Sequence, residues 1–207
     1  MLIRLLTITA ILFLSLVPQV ATAQTKSIQD LVETQYLHGF PRGAEKILKP
    51  SDIPYLASVI GDKGKSKFWG NAISALAKIN DERVTSLFVA FFAGLDGPLS
   101  PDEFRAAAIV PSVLSARSKN NPEIVKALED LAEGRSSAYL PIRFYEADRS
   151  IDLTRQSFRK IAVFSLGYSP SPEALRYLES AKDKASPALA ETYRSAIERA
   201  QAAGAAN

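Results

Sequence analysis

The chain has 207 residues, no cysteine, a single histidine and a formal charge of +3. Without a thiol, disulfides, thiolate metal sites and thiol nucleophiles are excluded, and one histidine cannot build a multi-histidine zinc site. With 25 basic against 22 acidic side chains the balance is too even for a nucleic-acid binder, which carries a basic stripe or a strongly basic domain.

The N-terminus reads as a secretory signal peptide over residues 1–23. Arg4 supplies the positive region, Leu5 to Val17 an apolar run, and Ala21-Thr22-Ala23 a small-x-small cleavage site before Gln24. The apolar run of 13 residues falls short of the ~20 that span a bilayer as a helix. No cysteine follows the cleavage site, so a lipid anchor of the lipoprotein kind is not available. Residues 24–207 are then one exported domain, periplasmic or extracellular, large enough to bury a core without covalent staples.

In that domain the spacing predicts helices near 26–38, 51–61, 66–79, 82–94, 101–117, 122–133, 149–167, 172–184 and 187–203, with 202–207 frayed. Ser51-Asp52 is one start signal. Ser100-Pro101, Asn121-Pro122, Ser171-Pro172 and Ser186-Pro187 each place a capping side chain before a proline whose missing N–H costs nothing at the first helical position. Glu103 completes a capping box with Ser100. Phe68, Ala72, Ile73, Leu76 and Ile79 fall on one stripe, opposite Lys67, Asn71, Ser74 and Lys78. Val84, Leu87, Phe88 and Phe91 form a second stripe, and Ile124, Leu128 and Leu131 a third. Sustained alternation of period two is missing, so strands are not expected.

The helices repeat. Phe68-x-x-x-Ala72-Ile73, Phe104-x-x-x-Ala108-Ile109 and Phe158-x-x-x-Ala162-Val163 share one pattern, at separations of 36 and 54 residues, the excess falling around Arg135 to Asp152. A large ring and a small alanine on one face let a neighbouring helix approach at the alanine and rest on the ring. One such hairpin cannot bury its own apolar face, so units stack. The Phe158 to Gly167 segment followed by Ser171 to Leu178, and Trp69 to Leu87 through Ala72, Leu76 and Asp81, resemble HEAT-like (armadillo-type) repeats, whose second helix commonly ends in alanine–x–x–small–leucine–glycine. The Phe104 unit departs from the pattern, with Pro111 inside its helix, where a kink is expected, and Ser112 in place of the leucine. The resemblance covers roughly residues 51–184 and implies an all-α fold: a right-handed α-solenoid of stacked helical hairpins.

Catalytic motifs are weak. Gly61-Asp62-Lys63-Gly64-Lys65-Ser66 has Val59 where a phosphate loop needs glycine, and reads as an inter-helix turn. Ser157-x-x-Lys160 has the spacing of penicillin-interacting enzymes but lacks their lysine–threonine/serine–glycine strand. His38, beside Gly39-Phe40-Pro41, reads as the end of a first helix rather than a general base. Glu129-Asp130 reads as a solvated helix face. Carboxylates show no calcium-loop spacing, and no metal or cofactor is expected. The HEAT-like resemblance implies that Arg105 and Arg159, one residue after their phenylalanines, pair with acids of adjacent repeats, with Asp102 and Asp152 as candidates. The interruption from Arg135 to Lys160 is the candidate interaction segment: Tyr139, Arg143, Phe144, Tyr145, Arg149 and Arg155 combine the aromatics and arginines enriched at binding hot spots. The alternative there is a connector whose aromatics plug the core. The expectation is a non-enzymatic scaffold for a protein or peptide in the cell envelope. An exported hydrolase or lyase with an unrecognised site is the alternative, and attachment to an anionic surface through Lys63, Lys65 and Lys67 a third reading.

Overall fold

The structure, a computed structural model, describes residues 27–36, 39–95, 99–135 and 151–205, without the side chains at 151, 152, 154, 155 and 205. The expected signal segment 1–23, His38, and Tyr139, Arg143, Phe144, Tyr145 and Arg149 lie outside the described residues, as does the side chain of Arg155.

The described residues are all-α, without a β-strand: α1 (Ile28–Glu33), α2 (Ile53–Gly61), α3 (Ser66–Lys78), α4 (Arg83–Ala93), α5 (Pro101–Ala116), α6 (Pro122–Glu133), α7 (Ile151–Leu166), α8 (Pro172–Ala181) and α9 (Pro187–Ala205). Two of the expected capping signals make their caps. Ser100 Oγ accepts from Glu103 N (3.3 Å) while Glu103 Oε2 accepts from Ser100 N (2.6 Å), and Asn121 Oδ1 accepts from Ile124 N (3.3 Å). Ser171 departs, its hydroxyl donating to Glu173 rather than capping the backbone. Ser27 and Asp30 form a further capping box that opens α1. That helix stops at Glu33, short of the expected 38, whereas α9 runs on to Ala205. At the end of α6, Gly134 takes φ 83°, a left-handed conformation that a side chain would oppose, and turns the chain so that Arg135 N reaches Asp130 O at 2.7 Å.

Each helix from α2 to α7 packs on the next helix and on the next but one or the one before it, so α1, α3, α5, α7 and α9 make a row of successive contacts. One apolar cluster runs through it from Val32 to Ala196. Phe158, fully buried on α7, receives the edge contacts of Phe92 from α4 (5.6 Å between ring centres) and Phe104 from α5 (5.1 Å). Burial of such a side chain stabilises by about 1.5–3 kcal/mol relative to exposure.

The Phe104 unit sits out of register with its expected pattern. Phe104, Ala108 and Ile109 are only half-buried and Ser112 is exposed. The core face of α5 is instead Ala106, Ala107, Val110, Pro111 and Leu114. Helix α5 continues unbroken through the buried Pro111, whose ring removes the donor to the carbonyl of Ala107. Serines fill the α5–α7 seam: Ser115 Oγ donates to Ser165 O (2.5 Å), and the Ser118 and Ser169 hydroxyls meet at 2.6 Å. Every buried hydroxyl in this seam has a partner, which keeps a polar contact between two core helices tolerable.

The expected polar face of α3 is partly covered. Asn71 Nδ2 donates to Val32 O (2.9 Å) and Thr34 O (2.8 Å), closing the end of α1. The arginine ladder takes a different form. Arg105 pairs with Asp102 within its own helix (2.7 Å, exposed), and Arg159 Nε donates to Ala132 O (2.7 Å) at the end of α6. Arg117, at the end of α5, donates to Ala77 O (3.3 Å), Ile79 O (2.5 Å) and Asp81 O (3.2 Å). Arg117 and Arg159 bind carbonyls at or near helix ends and so join neighbouring helices by side-chain-to-backbone bonds; the side chain of Asp152, the other expected partner, lies outside the described residues.

Candidate interaction surface

Two exposed features stand out from this row of helices. The first is a cleft between α4 and α6, floored by α5. A groove of about 1250 Å³ is lined by Asp81, Thr85, Val89, Arg117, Asn121 and Ala127, among others. A further groove of about 250 Å³ shares Val89 and Ala127 and continues over Phe92, Pro111, Leu128 and Leu131 to Arg135. The cleft is therefore polar at one end and apolar at the other. Of its ionisable groups Asp81 and Arg117 are already engaged, while Glu82, Lys119 and Glu123 line it as well. Asp81 accepts from Arg83 N and Nε (both 2.9 Å) and Nη2 (2.8 Å), which holds its carboxyl down at about 2. Burial lowers the Arg117 guanidinium from its ordinary value, opposed by Asp81, while its donors serve the three carbonyls.

The second feature runs along α7. Leu153 (51% exposed), Phe164 (43%) and Tyr168 (56%) are large apolar side chains open to solvent. At 100° per residue Leu153 and Phe164 lie about 20° apart around α7, and Tyr168 stands in the turn just past its end. Phe164 and Tyr168 pack edge to face (5.1 Å), and Arg199 from α9 lies against both rings, at 4.5 and 4.3 Å from their centres. Arg199 Nη1 is buried and has no hydrogen-bond partner.

One group of ionisable side chains gathers elsewhere. The Tyr177 and Tyr193 hydroxyls meet at 3.2 Å, and burial first, then Tyr193, pushes the Tyr177 phenol well above its ordinary value. Burial also raises the Glu129 carboxyl; Glu129 and Asp130 are both half-buried, and Asp130 pairs with Lys126 (2.8 Å) and Arg135 (2.5 Å). Tyr177, Tyr193 and Glu129 line neither groove of the cleft.

The other candidate motifs fall where their plainer readings put them. Asp62 Oδ1 accepts from Gly64 N (2.8 Å) in the turn between α2 and α3. The Ser157 hydroxyl donates to Leu153 O (2.9 Å), four residues back, and Lys160 is exposed. Lys65 faces Glu33 (3.5 Å), and the Lys67 ammonium lies over the Phe68 ring. Among the described residues no group of three His, Asp or Glu is arranged to hold a metal, and no helix is long and apolar enough to cross a membrane. Of the expected interaction segment Arg135–Lys160, Arg135 ends the second groove and Leu153 is exposed on α7, while Tyr139, Arg143, Phe144, Tyr145, Arg149 and the side chain of Arg155 lie outside the described residues; Phe164, Tyr168 and Arg199 were not singled out. The available signal was their spacing: Phe164 and Tyr168 are four apart and off the Phe158–Ala162–Val163–Leu166 stripe.

The chain matches no family model, and neither a curated protein nor a solved structure matches it.

Proposed function

We propose that this protein is an exported, non-enzymatic scaffold, a right-handed α-solenoid of HEAT-like hairpins that binds a protein or peptide in the cell envelope. The cleft between α4 and α6 carries the reading. It is open, it grades from polar to apolar, and its best-held charges, Arg117 and Asp81, bind the protein's own backbone and side chains, with Glu82, Lys119 and Glu123 along its polar end. Such a surface suits a segment of polypeptide with one polar and one apolar end, whereas a catalytic site gathers uncommitted titratable groups in a pocket. Successive helix contacts support the stacked-hairpin reading, because each unit covers the apolar face its neighbour exposes. The leader pattern of residues 1–23 supports export.

The test is retention of a partner from envelope extract by the purified protein and by a Val89→Arg/Ala127→Arg variant, whose substitutions lie where the two grooves meet. The variant is expected to keep its helical circular dichroism and lose the partner. Equal retention by both proteins would remove the cleft from the proposal, and turnover of a substrate by the isolated protein would replace the scaffold reading with a catalytic one.

A further inference from the structure

Helices α2, α4, α6 and α8 make a second row, and it is interrupted once. α2 packs on α4 and α6 packs on α8, but no comparable contact joins α4 to α6, and the cleft lies in that gap. The interruption divides the described helices into α1–α5 and α6–α9. α5 carries the junction between these halves: it packs on α7 and α6, and α4 adds its Phe92 ring against Phe158.

The bonds inside each half differ in kind from those across the junction. Within α1–α5, Asn71 holds the carbonyls of Val32 and Thr34, and Arg117 holds three at the turn between α3 and α4. Within α6–α9, Arg159 holds Ala132 O, and the Tyr177 and Tyr193 hydroxyls meet. The ion pairs among the described residues stay on one side or the other. Across the junction, the side-chain hydrogen bonds of the described residues are those of serines: Ser112 with Ser165 (3.3 Å), Ser115 with Ser165 O (2.5 Å) and Ser118 with Ser169 (2.6 Å).

These bonds resist movement to different degrees. A guanidinium is a rigid planar fork, so Arg117 cannot keep three carbonyls if α5 rotates on its neighbours. A serine hydroxyl turns about its C–O bond and offers two lone pairs, so its contact survives a small rotation of one helix against the other. The apolar end of the junction, two ring edges on Phe158, is held by burial, which has no preferred direction. Pro111 also takes one hydrogen bond out of α5, the helix on which both halves rest.

We propose that the α5–α7 seam is a hinge. The half α6–α9 turns on α1–α5 about the line from Phe158 to the serines, and the cleft between α4 and α6 widens and narrows as it does. Closure of that kind lets the cleft fit itself to a segment laid in it. The inference rests on the scaffold reading and adds control of access to the same cleft.

The test is double electron–electron resonance on the purified protein, whose lack of cysteine lets spin labels be placed in pairs. Four exposed positions serve: Ser58 on α2, Ser86 on α4, Lys126 on α6 and Ser180 on α8. Ser86→Cys with Lys126→Cys spans the cleft. Ser58→Cys with Ser86→Cys reports the first half, and Lys126→Cys with Ser180→Cys the second, so each label of the spanning pair also appears in a control. The spanning distance distribution is expected to be about twice as wide as either control, or wider. Phe104→Ala takes one ring from the pivot and should widen the spanning distribution further while leaving both controls as they were, with thermal melts establishing that it is folded. A spanning distribution as narrow as the controls overturns the hinge. So does equal widening of all three pairs in Phe104→Ala, which is loosening of the whole fold. Both results leave the scaffold reading to the partner-retention experiment, so the two readings fail separately.

Discussion

Substituting Gly167 by alanine tests how closely α7 and α9 approach. Gly167 follows the last turn of α7, and a Cβ there would lie 2.8 Å from both Cα and O of Ala196 and 3.0 Å from its Cβ. Carbon–carbon contacts are optimal at ~3.5–4.0 Å, so the new methyl is about 0.7 Å too near. Two of the three contacts are to backbone, so no rotamer relieves them, and α9 itself must move. Overpacking of this kind costs about 1–3 kcal/mol, offset in part by the ~0.4–1 kcal/mol that alanine gains from a less flexible unfolded chain. The net loss of roughly 1–2 kcal/mol corresponds to a fall of about 2–8 °C in Tm for a domain of this size, read by thermal circular dichroism. Gly70→Ala is the internal contrast: inside α3 its Cβ would meet only Ile109 Cδ1, at an ordinary 3.9 Å. Helix propensity then favours the alanine by up to ~1 kcal/mol, and Tm should rise. If Gly167→Ala melts within about 1 °C of the parent, the close approach of α7 to α9 does not govern this end of the protein and the reasoning fails.

Two further outcomes follow from the way helix ends are tied. Arg117→Ala should destabilise by about 2–3 kcal/mol in urea unfolding, because three carbonyls at the α3–α4 turn lose a charged donor, and Arg117→Lys should restore only part, since an ammonium cannot span all three. Asp81 has a folded carboxyl near 2 against an ordinary 3.8, so its pairing with Arg83 stabilises above about pH 4 and that contribution fades as pH falls toward 2. Asp81→Asn should therefore lower Tm at neutral pH, and the gap between the two proteins should close by about pH 2; a constant gap across that range would show that the carboxylate charge is not what matters.

Local sequence determined the helices and the starts of α5 and α6. Ser100-Pro101 with Glu103, and Asn121-Pro122, act within one turn of chain, and the stripes of Phe88 and Phe91 or Leu128 and Leu131 follow from 3.6-residue periodicity alone. What the tertiary structure decided is which side of a helix meets what. Phe104 and Phe158 carry the same local pattern, yet only Phe158 is fully buried, because α5 presents Ala106 and Val110 to the core and leaves Phe104 resting on the Phe158 ring. Arg105 and Arg159 likewise read alike and behave differently: one pairs within its own helix, the other reaches the end of α6, a choice made by the helix that happens to lie within reach. The α7 stripe was open to the same periodicity argument as the core. Its contact with Arg199 was not, since 31 residues separate that arginine from Tyr168 and only the packing of α9 on α7 brings the guanidinium onto the rings.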